Sequence, residues 1–117
     1  MSFYFSVGDT TVWNPALSVG KLYVELAQLL AGRADVDSGL RVAQSDDCDV
    51  NPVVFREFIA TLVSAPGTQH RVYVELVRGF VATSLVMLTR AGIALDEGVR
   101  PDWLRDDDLL VARSMAE

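Results

Sequence analysis

Aromatic and branched residues open the chain as Phe3-Tyr4-Phe5-Ser6-Val7, and after Gly8-Asp9 a second such run follows as Thr10-Thr11-Val12-Trp13. The pattern predicts a β-hairpin in which Phe3, Phe5 and Val7 share one face by the two-residue period. Gly8 supplies the positive φ that the first position of a type II′ turn requires. Two strands are marginal alone, so this hairpin must lean on helices or gain a third strand. Asn14-Pro15 then predicts a helix start, Asn14 as cap and Pro15 at the first helical position, where its missing donor is no loss. The helix should run to about Ala31 and end at Gly32, a natural left-handed terminator. Val19, Leu22, Tyr23, Leu26, Leu29 and Leu30 recur at spacings of three and four and define the face expected to meet the core.

Between Arg33 and Val50 the periodicity disappears, although Leu40-Arg41-Val42 and Cys48-Asp49-Val50 have the composition of short strands. Asn51-Pro52 repeats the cap-and-proline device. Val54, Phe55, Phe58, Ile59, Leu62 and Val63 give a second helical stripe before Ala65-Pro66-Gly67 closes it. Thr68 is placed to cap a third helix reaching about Ala91, with Val72, Leu76, Val77, Phe80, Val81, Ser84, Leu85 and Leu88 inward and Val74, Val86 and Met87 elsewhere around it. A helix so widely apolar is either central to its own core or has a second face covered by another subunit, which makes a homodimer through this third helix an expectation. A last helix is expected from Trp103 to about Met115, after Pro101-Asp102, with Asp106-Asp107-Asp108 interrupting its pattern. The resulting fold class is α+β, mostly α. An N-terminal β-hairpin, with room for a short third strand, packs on a bundle of three to four helices in a single domain spanning residues 1–117.

At 117 residues, half of them hydrophobic, the chain has the size and composition to bury a substantial core without disulfides or metal. Ten basic against sixteen acidic residues leave a net charge of -6, a field that repels nucleic-acid backbones and anionic lipid surfaces and suits a basic protein partner. The nine arginines and Lys21 are scattered, with no stripe for phosphates. The N-terminal residues lack the features of a secretion signal, and the apolar stretch Phe80–Leu88 is far short of the ~20 residues of a membrane span. A cytoplasmic protein with no membrane segment is expected.

The densest polar group is Asp46-Asp47-Cys48-Asp49-Val50-Asn51. Asp47, Asp49 and Asn51 alternate like the first ligands of a calcium loop, but Pro52 and Phe58 stand where such a loop needs Gly and a bidentate Glu, so no metal is expected. Two readings of the cluster remain open: Asp49 and Asn51 serve the start of the second helix while Asp46 and Asp47 are solvated, or Asp46, Asp47 and Asp49 present carboxylates to a partner. Cys48 sits beside three carboxylates, which disfavours a reactive thiolate and favours a small buried residue. A single histidine, His70, and the absence of a CxxC pair, a phosphate-cradling Gly loop or a nucleophile elbow leave no catalytic residue and no cofactor to name. Trp103 is the better interface anchor of the two tryptophans, Trp13 being placed to pack the hairpin on the helices.

Tyr4-Phe5, Gly8-Asp9, Trp13-Asn14-Pro15, Asp46-Asp47-Cys48, Phe55 and Gly79-Phe80-Val81-Ala82-Thr83 together resemble a family of small uncharacterised actinomycete proteins, over about residues 3–93. The resemblance implies an origin, no activity, and a tail beyond residue 93 particular to this protein. Two functions follow as expectations. The first is a non-catalytic protein-interaction module, most concretely an immunity or antitoxin-like protein whose acidic loop (Asp46, Asp47, Asp49) and Trp103 bind a basic protein. The alternative is a small-molecule-binding protein or accessory biosynthetic enzyme with a pocket between hairpin and helices, lined by Phe3, Phe5 and Tyr23 with Asp47 or Asp49 as polar group.

Overall fold

A computed structural model describes residues 1–64, 70–93, 101–104 and 108. Strands β1 (Tyr4–Val7) and β2 (Thr10–Trp13) form the expected hairpin, followed by α1 (Leu17–Ala34), β3 (Leu40–Gln44), β4 (Asp47–Val50), α2 (Pro52–Ser64) and α3 (Arg71–Arg90). The sheet is larger than a hairpin with a third strand. It has four strands in the order β2-β1-β4-β3, two antiparallel hairpins joined through a parallel pairing of β1 with β4. Gly8 has φ 58° and Asp9 does not share the positive φ, the pattern of a type II′ turn. A bulge in β2 leaves Val12 between the pairs Phe5–Trp13 and Ser6–Thr11, so both Val12 and Trp13 are buried.

The inner face of the sheet carries Phe3, Phe5, Trp13, Cys48 and Val50 against the helices. Phe5 lies 5.0 Å from the ring of Phe3, 5.1 Å from Trp13 and 5.4 Å from Tyr23 of α1. Tyr23 stacks in turn on Phe80 of α3, which meets Phe58 of α2 edge-on. All three described helices therefore share one core with the sheet. Burial drives the Tyr23 hydroxyl's pKa well above the usual phenol range, and it finds a partner in Ser84. Since Ser84 spends its own proton on the Phe80 carbonyl at 2.7 Å, Tyr23 is the donor of the pair.

Helix α1 departs from its sequence reading at both ends and around its axis. Asn14-Pro15 does not start it: Phe3 N–H donates to Pro15 O and Leu17 N–H to Met1 O, so the segment is held as extended chain beside the N-terminus, and the cap position falls to Ala16 without a side-chain cap. Gly32 does not end it either. The left-handed residue is Asp35 (φ 57°, ψ 46°), with Asp35 N–H bonded to Gly32 O and Val36 N–H to Ala31 O, the double closure of a Schellman motif. The buried residues are Gly20, Tyr23, Ala27 and Ala31, whereas Val19, Leu22, Leu26 and Leu29 face outward. The reason is proximity: a Cβ on Gly20 would stand 2.5 Å from Phe3 Cβ, so at this point the helix lies too close to Phe3 for any side chain.

Helix α2 follows its expected stripe, with Phe55, Phe58, Ile59 and Leu62 buried and Asn51 Oδ1 accepting the Val54 N–H at 3.2 Å as the cap. In α3 the second apolar face, Val74, Val86 and Met87, is filled within the chain itself, while Val72 and Leu76, expected inward, are exposed. A dimer through α3 would therefore have to use Val72 and Leu76, and not Val74, Val86 or Met87, which are covered within the chain. By length and hydropathy α3 could cross a membrane, yet more than half of it is buried inside the domain, as the core helix of a soluble protein would be. Ala65-Pro66-Gly67, Thr68 and most of the helix expected after Trp103 lie outside the described residues. Pro101–Leu104 form a turn, closed by Leu104 N–H to Pro101 O, with Leu104 in the core.

Candidate functional site: an acidic hairpin on an open sheet face

Asp46 occupies the two-residue turn between β3 and β4, and its carbonyl accepts the Tyr4 N–H at 2.9 Å. From there the strand period sorts the cluster: Cys48 points into the core, and Asp47 and Asp49 point to the opposite face. Register fixes their neighbours. Asp47 pairs with Tyr4 and Gln44, and Asp49 stands in a row with Ser6 and Thr11 on one side and Arg41 on the other. Tyr4, Thr11, Arg41, Gln44 and Asp49 are exposed, so no helix among the described residues covers this face. Sequence reasoning missed Tyr4 and Arg41 as members of the site because a parallel pairing between residues 4 and 47 leaves no local pattern to read.

Asp47 Oδ1 is shielded from solvent without a hydrogen-bond donor among the described residues, as is Asn14 Oδ1. An open groove of about 670 Å³ runs off the same hairpin, bounded by Asp37, Arg41, Asp49, Asn51, Pro52 and Val54. The start of α2 contributes little free donor capacity there, since Pro52 has none and Asn51 accepts from both Val54 and Phe55.

Trp103 stands apart from this surface. It is half-buried, with the Arg78 guanidinium 5.8 Å above its ring and bonded to its carbonyl at 3.0 Å, and the same guanidinium pairs with Asp108 and Glu75. Arg78 thus ties Trp103 and Asp108 to α3. Phe3, Phe5 and Tyr23 are brought together as packed core rings, and of the three Phe3 also borders a groove. A shallow groove of about 280 Å³ beside them, between α1 and the β3–β4 hairpin, takes in Phe3 together with Lys21, Val24, Glu25, Val42 and Ser45.

Cys48 is buried, and burial first, then the charges of Asp49 and Asp47, pushes its thiol up to about 12. A thiol reagent near neutral pH is expected to leave the folded protein unmodified and to label it once denatured, as followed by mass spectrometry. Because the folded pKa lies above the unfolded value of 9.0, the folded chain holds a proton that the unfolded chain releases; this contribution to stability is intact below 9 and is lost as pH rises towards about 12.

These features define a small α+β domain with helices on one side of a four-stranded sheet and the carboxylates of Asp47 and Asp49 on the other. The chain belongs to a family of unknown function, DUF6086, whose match extends over residues 1–117, so the tail beyond residue 93 is part of the family pattern and not peculiar to this chain. No curated protein and no solved structure matches it.

Proposed function

We propose that this is a non-catalytic protein-interaction module, most concretely an immunity or antitoxin-like protein acting in the cytoplasm, which offers the β3–β4 hairpin to a basic partner. The observation that supports this reading is the alternation of β4: Cys48 anchors the strand in the core while Asp47 and Asp49 stand on an exposed polar face beside Tyr4, with Asp46 at the tip. A rigid strand fixes the carboxylates with little entropy left to lose on binding, and the net charge of -6 steers a cationic partner towards them. The test is recovery of the tagged protein from its host beside the variant Asp46→Asn/Asp47→Asn/Asp49→Asn. A stoichiometric basic protein should accompany the wild type, bind the variant roughly 10–100-fold more weakly and dissociate as salt rises. Binding indifferent to the three substitutions would refute the proposed surface.

A second reading is favoured by the groove beside Arg41 and Asp49, whose volume of about 670 Å³ is that of a small-molecule site. If the protein is recovered alone, this groove, and not the packed rings of Phe3, Phe5 and Tyr23, is the place to look for a ligand by thermal shift.

A further inference from the structure

We infer that the edge of β3 is the interface of a two-fold homodimer, in which β3 pairs antiparallel with the β3 of a second copy, centred on Val42. The sheet order leaves β3 at an edge. Because Leu40 faces Val50 and Asn51 N–H donates to Gly39 O at 2.8 Å, Gly39 and Arg41 bond to β4, whereas Leu40 and Val42 turn their N–H and C=O away from the sheet. Outward groups of this kind are a template for another strand. At Leu40 the chain covers them itself, the N–H donating to Ser38 Oγ at 3.2 Å and the carbonyl accepting from Gln28 Nε2 at 3.5 Å. On β2, at the other edge, Arg90 donates to Val12 O at 3.0 Å. Val42 has no such cover among the described residues. Its side chain shares the inner face with buried Cys48 and is still 46% exposed, because the groove of about 280 Å³ between β3 and α1 lies beside it.

The residues of the strand identify its occupant. A strand added to this edge exchanges both main-chain bonds with Val42, and the residue that does so turns its side chain to the inner face, beside the groove. An apolar side chain fits there. In the antiparallel sense the residue before it stands opposite Ala43, on the side of the acidic turn at Asp46 and Asp47, and the residue after it stands opposite Arg41. A cation is therefore favoured before the apolar residue and disfavoured after it. Arg41-Val42-Ala43 has that order. With the two-fold axis on Val42, the side chain of Val42 meets the partner subunit's Val42, and each Arg41 stands opposite the partner subunit's Ala43, directed towards the carboxylates of the other turn. Arg41 is exposed and enters no ion pair among the described residues, so its charge is available for this contact. Two main-chain bonds and one pair of valines make a small interface, at the lower limit of specific ones, which predicts a reversible dimer with a Kd on the order of 100 μM. The dimer forms from the chain alone, so its failure leaves the reading of the hairpin as a partner site untouched.

Sedimentation velocity of the full-length chain, over a concentration series reaching about 1 mM, tests this. The mass should move from 12.8 kDa towards twice that value as concentration rises. Val42→Pro removes the outward N–H without touching the ladder to β4, and the fixed φ of proline suits an edge strand, so the circular dichroism should persist while association falls at least ~10-fold. Val42→Thr keeps both the N–H and the branched shape and should associate much as the wild type does. Arg41→Glu turns attraction at the acidic turn into repulsion and should weaken association several-fold at low salt, and less at high salt. A chain that stays monomeric over the whole series overturns the inference. So does a dimer that either Val42→Pro or Arg41→Glu leaves unchanged, since its contact then lies elsewhere on the surface. Should Val42→Pro fail to fold, Arg41→Glu decides alone.

Discussion

Replacing Gly39 with alanine is expected to destabilise the protein by about 3 kcal/mol or more, read as a fall of roughly 10 °C or more in the melting temperature. Gly39 has φ 77°, a conformation that costs a side-chain-bearing residue about 1–2 kcal/mol. A Cβ built there would also stand 2.6 Å from Phe55 N and 3.0 Å from both Phe55 Cα and Asn51 O. These are backbone atoms in the first turn of α2, so relief requires moving the helix away from the start of β3. That motion would strain the Asn51 N–H to Gly39 O bond at 2.8 Å and the short turn in which Asp37 Oδ1 accepts the Gly39 N–H. Gly8→Ala separates the two causes, because Gly8 has φ 58° and nothing within 4 Å of the added carbon. It should cost only the conformational share, about 1 kcal/mol. Equal losses for the two variants would show that the close approach at Gly39 contributes nothing.

Phe5→Ala should cost about 4 kcal/mol, measurable as a shift in the midpoint of urea unfolding. Phe5 is fully buried and is the ring that Phe3, Trp13 and Tyr23 all contact, and its strand pairs with β2 on one side and β4 on the other. Neither flanking strand can move in to fill the space without breaking its ladder, so much of the cavity persists, and cavity volume adds to the lost transfer energy. Against a typical total of 5–15 kcal/mol for a domain, a loss of this size leaves the variant close to unfolding at physiological temperature.

Where the chain states its structure locally, the sequence is readable. The Gly8-Asp9 turn between two runs of strand-forming residues gives the first hairpin, and Asn51-Pro52 before a regular apolar stripe gives α2, because each depends on residues within a few positions of one another. The face of α1 was misread for a physical reason. Periodicity weighs hydrophobicity, and the leucines outweigh Gly20, Ala27 and Ala31, yet smallness is what admits the helix to the sheet beside Phe3. The four-stranded sheet was only half legible. Leu40–Val42 and Cys48–Val50 read as strands, but their union with β1 depends on a pairing across more than forty residues that no local pattern announces. The candidate site shares that fate: Asp46, Asp47 and Asp49 stand out in the sequence, while Tyr4 and Arg41 join them only through the sheet.

The parallel seam between β1 and β4 also sets an order of events. Each hairpin can close from neighbouring residues, but the ladder from Tyr4–Asp47 to Ser6–Asp49 must draw together the two ends of a long intervening stretch. A nascent chain leaving the ribosome would expose the inner side of its first hairpin, Phe3, Phe5 and Trp13, until residue 50 has emerged, and during that interval α1 is the only element available to shelter it. The small residues that bring α1 hard against Phe3 thus do for the growing chain what the finished sheet later does for the whole domain.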